Sequence, residues 1–596
     1  MASILGARLK HFLPILLAST FFLATATSAR AADAGEQLQA IIDEHWQYSL
    51  REDPIMAGRM GVPDYNDRLP DVTAKDRARR LKAEQDFLKR LQQIEGDELS
   101  QDQRINRDLL AWVLENSIEG NRLFLDRIPF NTFYGFYNSA VEANDGLAMN
   151  DVKAYEDYIA RIRDFGRYFD ENIANMRQGI EDGFVQPKIV VQGIAPTVRA
   201  QVYDDPTESR LYKPFEKMPD SIPATEQKRL RTEGKKAIDE VATPAFARVA
   251  ELLEGDYMQA ATDSIGAEQL PGGKDYYRHG IKTYVTLDMD PAEIHKIGLA
   301  EVKRIRTEMD ELIEQSGFDG SFEEFTEFLR TDKQFYAQTP EELLKEAAYI
   351  SKKIDYRLPA LFGKLPRLPY GVVPVPDAIA PNYTTASYNP AAIGGTRGGA
   401  YWVNTYALDQ RPLYELPALT LHEAVPGHHL QGALSQELEN VPEFRKGLYL
   451  SAFGEGWALY SERLGKEMDG IYTTPYEHFG RLSYEMWRAA RLVIDTGIHS
   501  QGWTRQQALD FLADNTSLSK ANVRAEVDRY ISWPGQALSY KMGEIKIREL
   551  RAKAEKELGD KFDLREFHDA VLVNGALPMG MLEHELKKNF TQAEKN

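Results

Sequence analysis

The sequence predicts a mainly α protein with a minor β element, and three observations carry that expectation. Helix-start signatures recur along the chain, strand-like alternation is scarce, and the 596 residues contain no cysteine, so the core must hold without disulfides. Thr73 and Asp76 open the charged stretch 77–94. Asp290-Pro291-Ala292-Glu293 offers an N-cap, a proline at the first helical position and an acid at the third, ahead of 294–312. Thr339-Pro340-Glu341-Glu342 repeats the device before 343–361, and Thr504 with Gln507 does so before 508–512. In each case a side-chain oxygen serves amides that the first helical turn leaves without a partner. Residues 400–404 alternate after the glycine-rich 394–399 and read as a short strand. The β-branched run 188–192 is of undecided type, and the Pro-rich stretch 365–390 reads as a long irregular connection.

Composition narrows the function classes. Apolar content of 43% and charged content of 27% are those of a soluble globular protein. A net charge of −19 argues against a nucleic-acid partner, which needs a basic surface. Without cysteine there is no thiol catalysis, no Cys-metal site and no cysteine to carry a lipid. At the N-terminus, Arg8, Lys10 and His11 precede an apolar run from Phe12 to Ala26 and the small-residue ending Ala29-Arg30-Ala31. This is the pattern of a secretory signal peptide over 1–31, and the run is short of the roughly 20 residues a membrane span needs. The expectation is an exported protein, periplasmic or extracellular, with no membrane association after cleavage. Residues 32–596 are expected to form a single large helical domain, with a possible seam in 255–274 dividing 32–265 from 266–596.

The chemistry concentrates in two stretches. Residues 422–429 read His-Glu-Ala-Val-Pro-Gly-His-His, and 453–462 read Phe-Gly-Glu-Gly-Trp-Ala-Leu-Tyr-Ser-Glu. Two imidazoles, an adjacent carboxylate and a downstream Glu are the components of a two-His, one-Glu zinc hydrolase. In H-E-x-x-H both histidines share a helix face at i and i+4; here position i+4 is Pro426. On an unbroken helix His428 would lie about 120° around the axis from His422, and His429 about 10.5 Å along it. Pro426 forces a break, and Gly427 accepts backbone shapes that other residues resist. A two-residue bulge would carry His428 to the i+4 place, which makes it the second ligand, with His429 the fallback. Glu423 is placed to act as general base toward a water activated at the metal rather than as a ligand. Glu455, set among apolar residues, is the third ligand, because an ionised carboxylate there needs a cation. Glu462 is expected to orient an imidazole from behind.

These motifs, with Arg491-Leu492-Val493-Ile494-Asp495-Thr496-Gly497-Ile498-His499 and Pro534-Gly535-Gln536-Ala537-Leu538-Ser539-Tyr540-Lys541-Met542-Gly543, resemble the bacterial domain-of-unknown-function 885 family over nearly the whole chain beyond the leader. The resemblance implies a zincin-like fold, remotely similar to the helical gluzincin peptidases of the Taq carboxypeptidase and thimet oligopeptidase types, with the small β element beside the metal-binding helix. Gly427-His428 then matches the Gly-His of their H-E-x-G-H, with two extra residues, and Glu455 matches their downstream Glu ligand.

Around the metal, Arg491, Asp495 and His499 form one helical stripe. Either His499 donates to the oxyanion of a tetrahedral intermediate while Asp495 fixes its tautomer, or the stripe is a buried structural ion pair near the site. Tyr540, after a Pro-Gly turn, is either a second oxyanion donor or one of the chain's packed core tyrosines. Lys541 and Arg397 are either substrate-carboxylate partners or solvated charges, and His568 is expected to be structural. The strand near 400–404 is an edge on which a peptide backbone can pair. The function expected is a zinc peptidase for short peptides, with His422, His428 and Glu455 on Zn(2+) and Glu423, His499 and Tyr540 doing chemistry. The rivals are a metal-dependent hydrolase of another amide or ester, and a helical binding protein that keeps the metal but not catalysis.

Overall fold

The computed structural model describes residues 14–142, 147–377, 379–391 and 397–595, so 1–13 of the expected leader and Gly394-Gly395-Thr396 lie outside the described residues. From Pro14 the chain is helical through Glu52 (α1). No described helix is long and apolar enough to cross a membrane.

The chain forms two compact units, one of residues 1–49 and 75–119, the other of 50–74 and 120–596. In the first, α2 (Ala74–Gln92) and α3 (Gln101–Arg122) bury Leu91, Leu109 and Leu110, and Arg90 pairs with Glu44 of α1 at 2.7 Å.

The second unit runs undivided through the expected seam at 255–274, and the first unit takes 32–49 and 75–119 out of the expected first half, so the division falls elsewhere than expected. One apolar core joins α4 (Val152–Asp182), through Phe165, Phe169 and Met176, to Ile494 and Ile498 of the much later helix 475–501. Burial ties sequence-distant segments together whatever the local composition between them. The run 188–192 is helical, opening α5 (Lys188–Arg199). Its apolar residues recur at helical spacing and bury Val190, Val191, Ile194 and Val198 on one face.

The N-cap signatures at Asp290, Thr339 and Thr504 hold. Asp290 accepts from the Ala292 amide at the start of α6 (Pro291–Gln315), and Thr339 accepts from the Glu342 amide at the start of α7 (Pro340–Leu361). The Pro-rich connection contains two strands, β1 (Tyr370–Pro374) and β2 (Ala386–Asn389), which flank β3 (Gly399–Val403). The order is β1-β3-β2, with β1 parallel and β2 antiparallel to β3. The strand expected as an edge is therefore the centre, and the edge role passes to β2.

Below the sheet run α8 (Leu416–Glu423), α9 (His428–Gln436) and α10 (Ser451–Leu464). They are followed by α11 (Pro475–Gln501), α12 (Arg505–Asn515), α13 (Lys520–Ser532) and α14 (Ser539–Leu558). At α12 Thr504 and Gln507 close the expected capping box. Helices α10 and α14 meet backbone to backbone: a Cβ on Gly456 would stand 2.5 Å from the Gly543 carbonyl carbon, and one on Gly543 would stand 2.0 Å from the Ala452 oxygen. Two glycines thus set the depth at which α10 presents its carboxylates.

Candidate metal centre

Helix α8 ends one residue after His422, and the interruption is built by the residues that sequence reasoning singled out. The Gly427 amide donates to the Leu421 carbonyl at 3.0 Å, an i to i−6 bond where a helix would make i to i−4. That difference is the two-residue insertion. The Val425-Pro426 peptide is cis. The Pro426 carbonyl accepts a 2.8 Å bond from the buried Trp457 indole of α10, which pins the break to the helix carrying Glu455. A Cβ on Gly427 would lie 1.9 Å from the His422 oxygen and 2.4 Å from that of Leu421. Gly427→Ala is accordingly expected to lose about 3 kcal/mol of stability in chemical denaturation and to spoil the spacing of His422 from His428.

Past the break, α9 starts on His428, and neighbouring residues on a helix point about 100° apart. One imidazole therefore turns to the cluster and the next to the sheet. His428 Nε2 lies 3.5 Å from Glu455 Oε2, and His422 Nε2 lies 3.5 Å from the same oxygen. The ligating atoms of His422, His428 and Glu455 all fall within 4.8 Å of one another. With bonds of about 2.1 Å, a tetrahedral zinc site would set its ligand atoms about 3.4 Å apart, so the two measured edges fit. His429 faces away: Nε2 donates to the Leu368 carbonyl at 3.1 Å, Nδ1 accepts from the Tyr388 hydroxyl at 3.1 Å, and the ring packs on Tyr370. Burial lowers its pKa to about 4, so it stays neutral.

Helix α10 supplies both carboxylates, because Glu455 and Glu462 are two turns apart on one face. Glu462, buried, accepts from His422 Nδ1 at 2.7 Å, which leaves His422 Nε2 to face Glu455. Burial opposes charge on His422, but Glu455 and Glu462 outweigh it and raise its pKa to about 10. Burial likewise opposes ionisation of Glu455, yet the two imidazoles hold its carboxyl well below the usual range. The pocket is thus electrostatically tuned to positive charge, and its N, N and O donors with no soft ligand suit zinc.

Glu423 stands apart from the triplet. Its Oε2 accepts the amide of Tyr388 in β2 at 2.8 Å, so an outward-facing strand N–H holds this carboxylate beside the cluster. Tyr449, which no sequence pattern marked, donates its hydroxyl to Glu455 Oε1 at 3.0 Å. The nearest signal was the glycine before Glu455: a Cβ on Gly454 would strike the Tyr449 ring at 2.6 Å.

A family model described as "Bacterial protein of unknown function (DUF885)" matches residues 54–586. The chain belongs to the DUF885 family. Among solved structures it is similar to a protein of Colwellia psychrerythraea described as a "putative lipoprotein", with 27% identity, a TM-score of 0.87, and coverage of 94% of this chain and 99% of that one. It is also similar in fold to a Shewanella oneidensis protein of the same description and unknown function, with 18% identity, a TM-score of 0.72, and coverage of 92% and 99%. No curated protein matches the chain.

Within this DUF885 fold three expected roles need correction. His499 is no oxyanion donor: Nδ1 accepts the Ala267 amide at 3.1 Å, Nε2 donates to the Tyr530 carbonyl at 2.9 Å, and the ring is buried. Asp495 does not touch it; that carboxylate accepts from the Tyr277 hydroxyl at 2.7 Å and the Gly535 amide at 3.2 Å. Lys541 is neither solvated nor open to substrate. It is wholly buried between Glu301, Glu485 and Glu544 at 2.8–3.0 Å. Arg397 is exposed and bonds Asn389. His568 bonds the Leu361 carbonyl and the Tyr460 hydroxyl, the structural role expected of it. Tyr540 is nearly buried under the Arg491 guanidinium, 4.4 Å from its ring centroid, and Arg529 Nη2 lies 3.4 Å from its hydroxyl oxygen.

Proposed function

We propose that this DUF885 protein is an exported, zinc-dependent peptidase of zincin-like, gluzincin-type fold that acts on short peptides. The observation that carries the reading is the convergence of His422 Nε2, His428 Nε2 and Glu455 Oε2, with Glu462 behind the first ligand and Glu423 held outside the triplet. Zinc bound by these three residues would supply Lewis acidity, acidifying water at neutral pH. Glu423 takes the proton of the attacking water and passes it to the leaving amine, and the Tyr388 amide keeps its carboxylate aimed for that task. Tyr540 steadies the oxyanion: its oxygen accepts from Arg529, which leaves its own proton free to donate. The outer edge of β2, on the Glu423 side, is where an extended peptide backbone would pair. Export is supported by the apolar leader-like segment and by the lipoprotein description of both structural relatives; these 596 residues hold no cysteine for a lipid.

The test is metal analysis of the gently purified full chain, followed by digestion of a mixed peptide library and a panel of non-peptide amides and esters. We expect about one equivalent of zinc, peptide cleavage abolished by a chelator, and recovery on adding zinc back. Cleavage of the non-peptide panel alone would move the reading to another amide or ester hydrolase. A chain that took up no metal even from added zinc would refute the proposal.

A further inference from the structure

On the Tyr540 side of the cluster, positive charge exceeds negative. Three guanidinium groups gather on that ring: Arg491 at 4.4 Å and Arg488 at 6.0 Å from its centroid, and Arg529 at 3.4 Å from its hydroxyl. Glu526 serves two of them, at 2.9 Å from Arg491 and 3.6 Å from Arg529. Arg488 has no such partner among the described residues. It is 7% exposed, its guanidinium lies over Tyr484 and Trp487 at 4.9 and 4.5 Å, and its hydrogen bond is a 3.5 Å contact with the Tyr484 carbonyl. Glu415 also lies within electrostatic reach of Arg488; burial pushes its pKa up to about 7, against the opposing effects of Tyr484, Arg488 and Arg411. Arg488 Nε, Arg491 Nη1 and Arg529 Nε are all buried without a hydrogen-bond partner.

A desolvated guanidinium surplus of this kind is costly unless an anion completes it. A carboxylate matches the planar N–H fork of arginine. The surplus also lies next to the proposed chemistry. Ser539, the residue before Tyr540, takes a 2.8 Å bond from Ser451 in the first turn of α10, the helix that carries Glu455, and Tyr449, bonded to Glu455, is more than half exposed. On the other side, Arg529 lies under the ring of Phe133, which is 67% exposed, and near Trp533, so a solvent-exposed aromatic rim borders the outermost of the three arginines.

We propose that Arg488, with Arg491 and Arg529, is a carboxylate subsite that holds the free C-terminus of a peptide substrate, so that cleavage falls near that end. The inference rests on the peptidase reading for its substrate, but not for its test. The Glu423→Gln full chain, supplied with zinc, would be titrated by calorimetry with a short peptide free acid, its C-terminal amide, and an amide bearing an internal Glu. The free acid is expected to bind about 30-fold more tightly than the plain amide, and Arg488→Met to bring the two within about 3-fold. Removing Arg488 breaks no close ion pair, and the buried Glu415 carboxyl it faces keeps Tyr484 and Arg411, so its Met variant should melt within about 2 °C of the parent; an arginine kept for structure would lower the melting temperature further. Should that variant fail to fold, Arg529→Gln, at the partly exposed rim, is expected to narrow the same preference by about 10-fold. Equal binding of acid and amide, or a preference that survives both substitutions, would overturn the subsite. An internal Glu that fully replaces the terminal carboxylate would overturn its assignment to the C-terminus. Failure of the peptidase reading shows separately, as binding preference without cleavage by the unsubstituted chain.

Discussion

Replacing Glu423 with Gln is expected to lower peptide hydrolysis by about 10²–10⁴-fold while zinc stoichiometry stays at the parent value. Glutamine keeps the shape and can still accept the 2.8 Å bond from the Tyr388 amide, so neither β2 nor the α8 terminus should move. What it cannot do is take a proton from water. The ligand triplet excludes Glu423: His422, His428 and Glu455 converge on one another, and the Glu423 carboxylate is engaged by the strand instead. Metal analysis and turnover on the same preparation separate the two roles. A variant that lost its metal together with its activity would mean that Glu423 is a ligand, and one that kept full activity would mean that the proton goes elsewhere.

How far the site could be read from the sequence depended on what fixes each residue. The break between His422 and His428 was legible because covalent rules dictate it: proline cannot continue the helix, and a side chain at Gly427 would collide with the His422 carbonyl. The pairing of Glu455 with Glu462 was legible because two helical turns put them on one face. His499 failed the same logic. Spacing on α11 shows which residues share a stripe but not what that stripe faces, and α11 is buried on nearly all sides. Its partners, the Ala267 amide and the Tyr530 carbonyl, arrive from segments that no local pattern links to it. Tyr449 and Arg488 were invisible for the same reason, since their roles are defined by tertiary neighbours.

The helical class followed from caps that act within one turn, and these held at Asp290, Thr339 and Thr504. The sheet was only partly legible. β3 alternates and was found, whereas β2 lies inside a Pro-rich connection and owes its strand form to pairing with β3. The segment 188–192 shows the opposite override, where β-branched residues joined a helix because their apolar face had a core to fill.

His428→Ala and His429→Ala are expected to divide cleanly, although the residues are adjacent. Removing His428 takes one of the two imidazoles from the cluster and should weaken zinc binding by about 10²-fold or more, since each ligand carries a substantial share of the binding energy. The metal-free fold should change little, because the His428 ring makes its polar contact with Glu455 rather than with the backbone. Removing His429 leaves the Leu368 carbonyl and the Tyr388 hydroxyl without their partner, a loss of about 1–3 kcal/mol in stability. Its effect on zinc should be small and indirect, because the Tyr388 backbone that holds Glu423 is also anchored by pairing with β3. Zinc titration and chemical denaturation of both variants therefore give opposite rankings. The reverse ranking, with His429→Ala losing zinc and His428→Ala losing stability, would mean that the inserted Pro426-Gly427 turns the helix by one residue more than the i to i−6 bond allows.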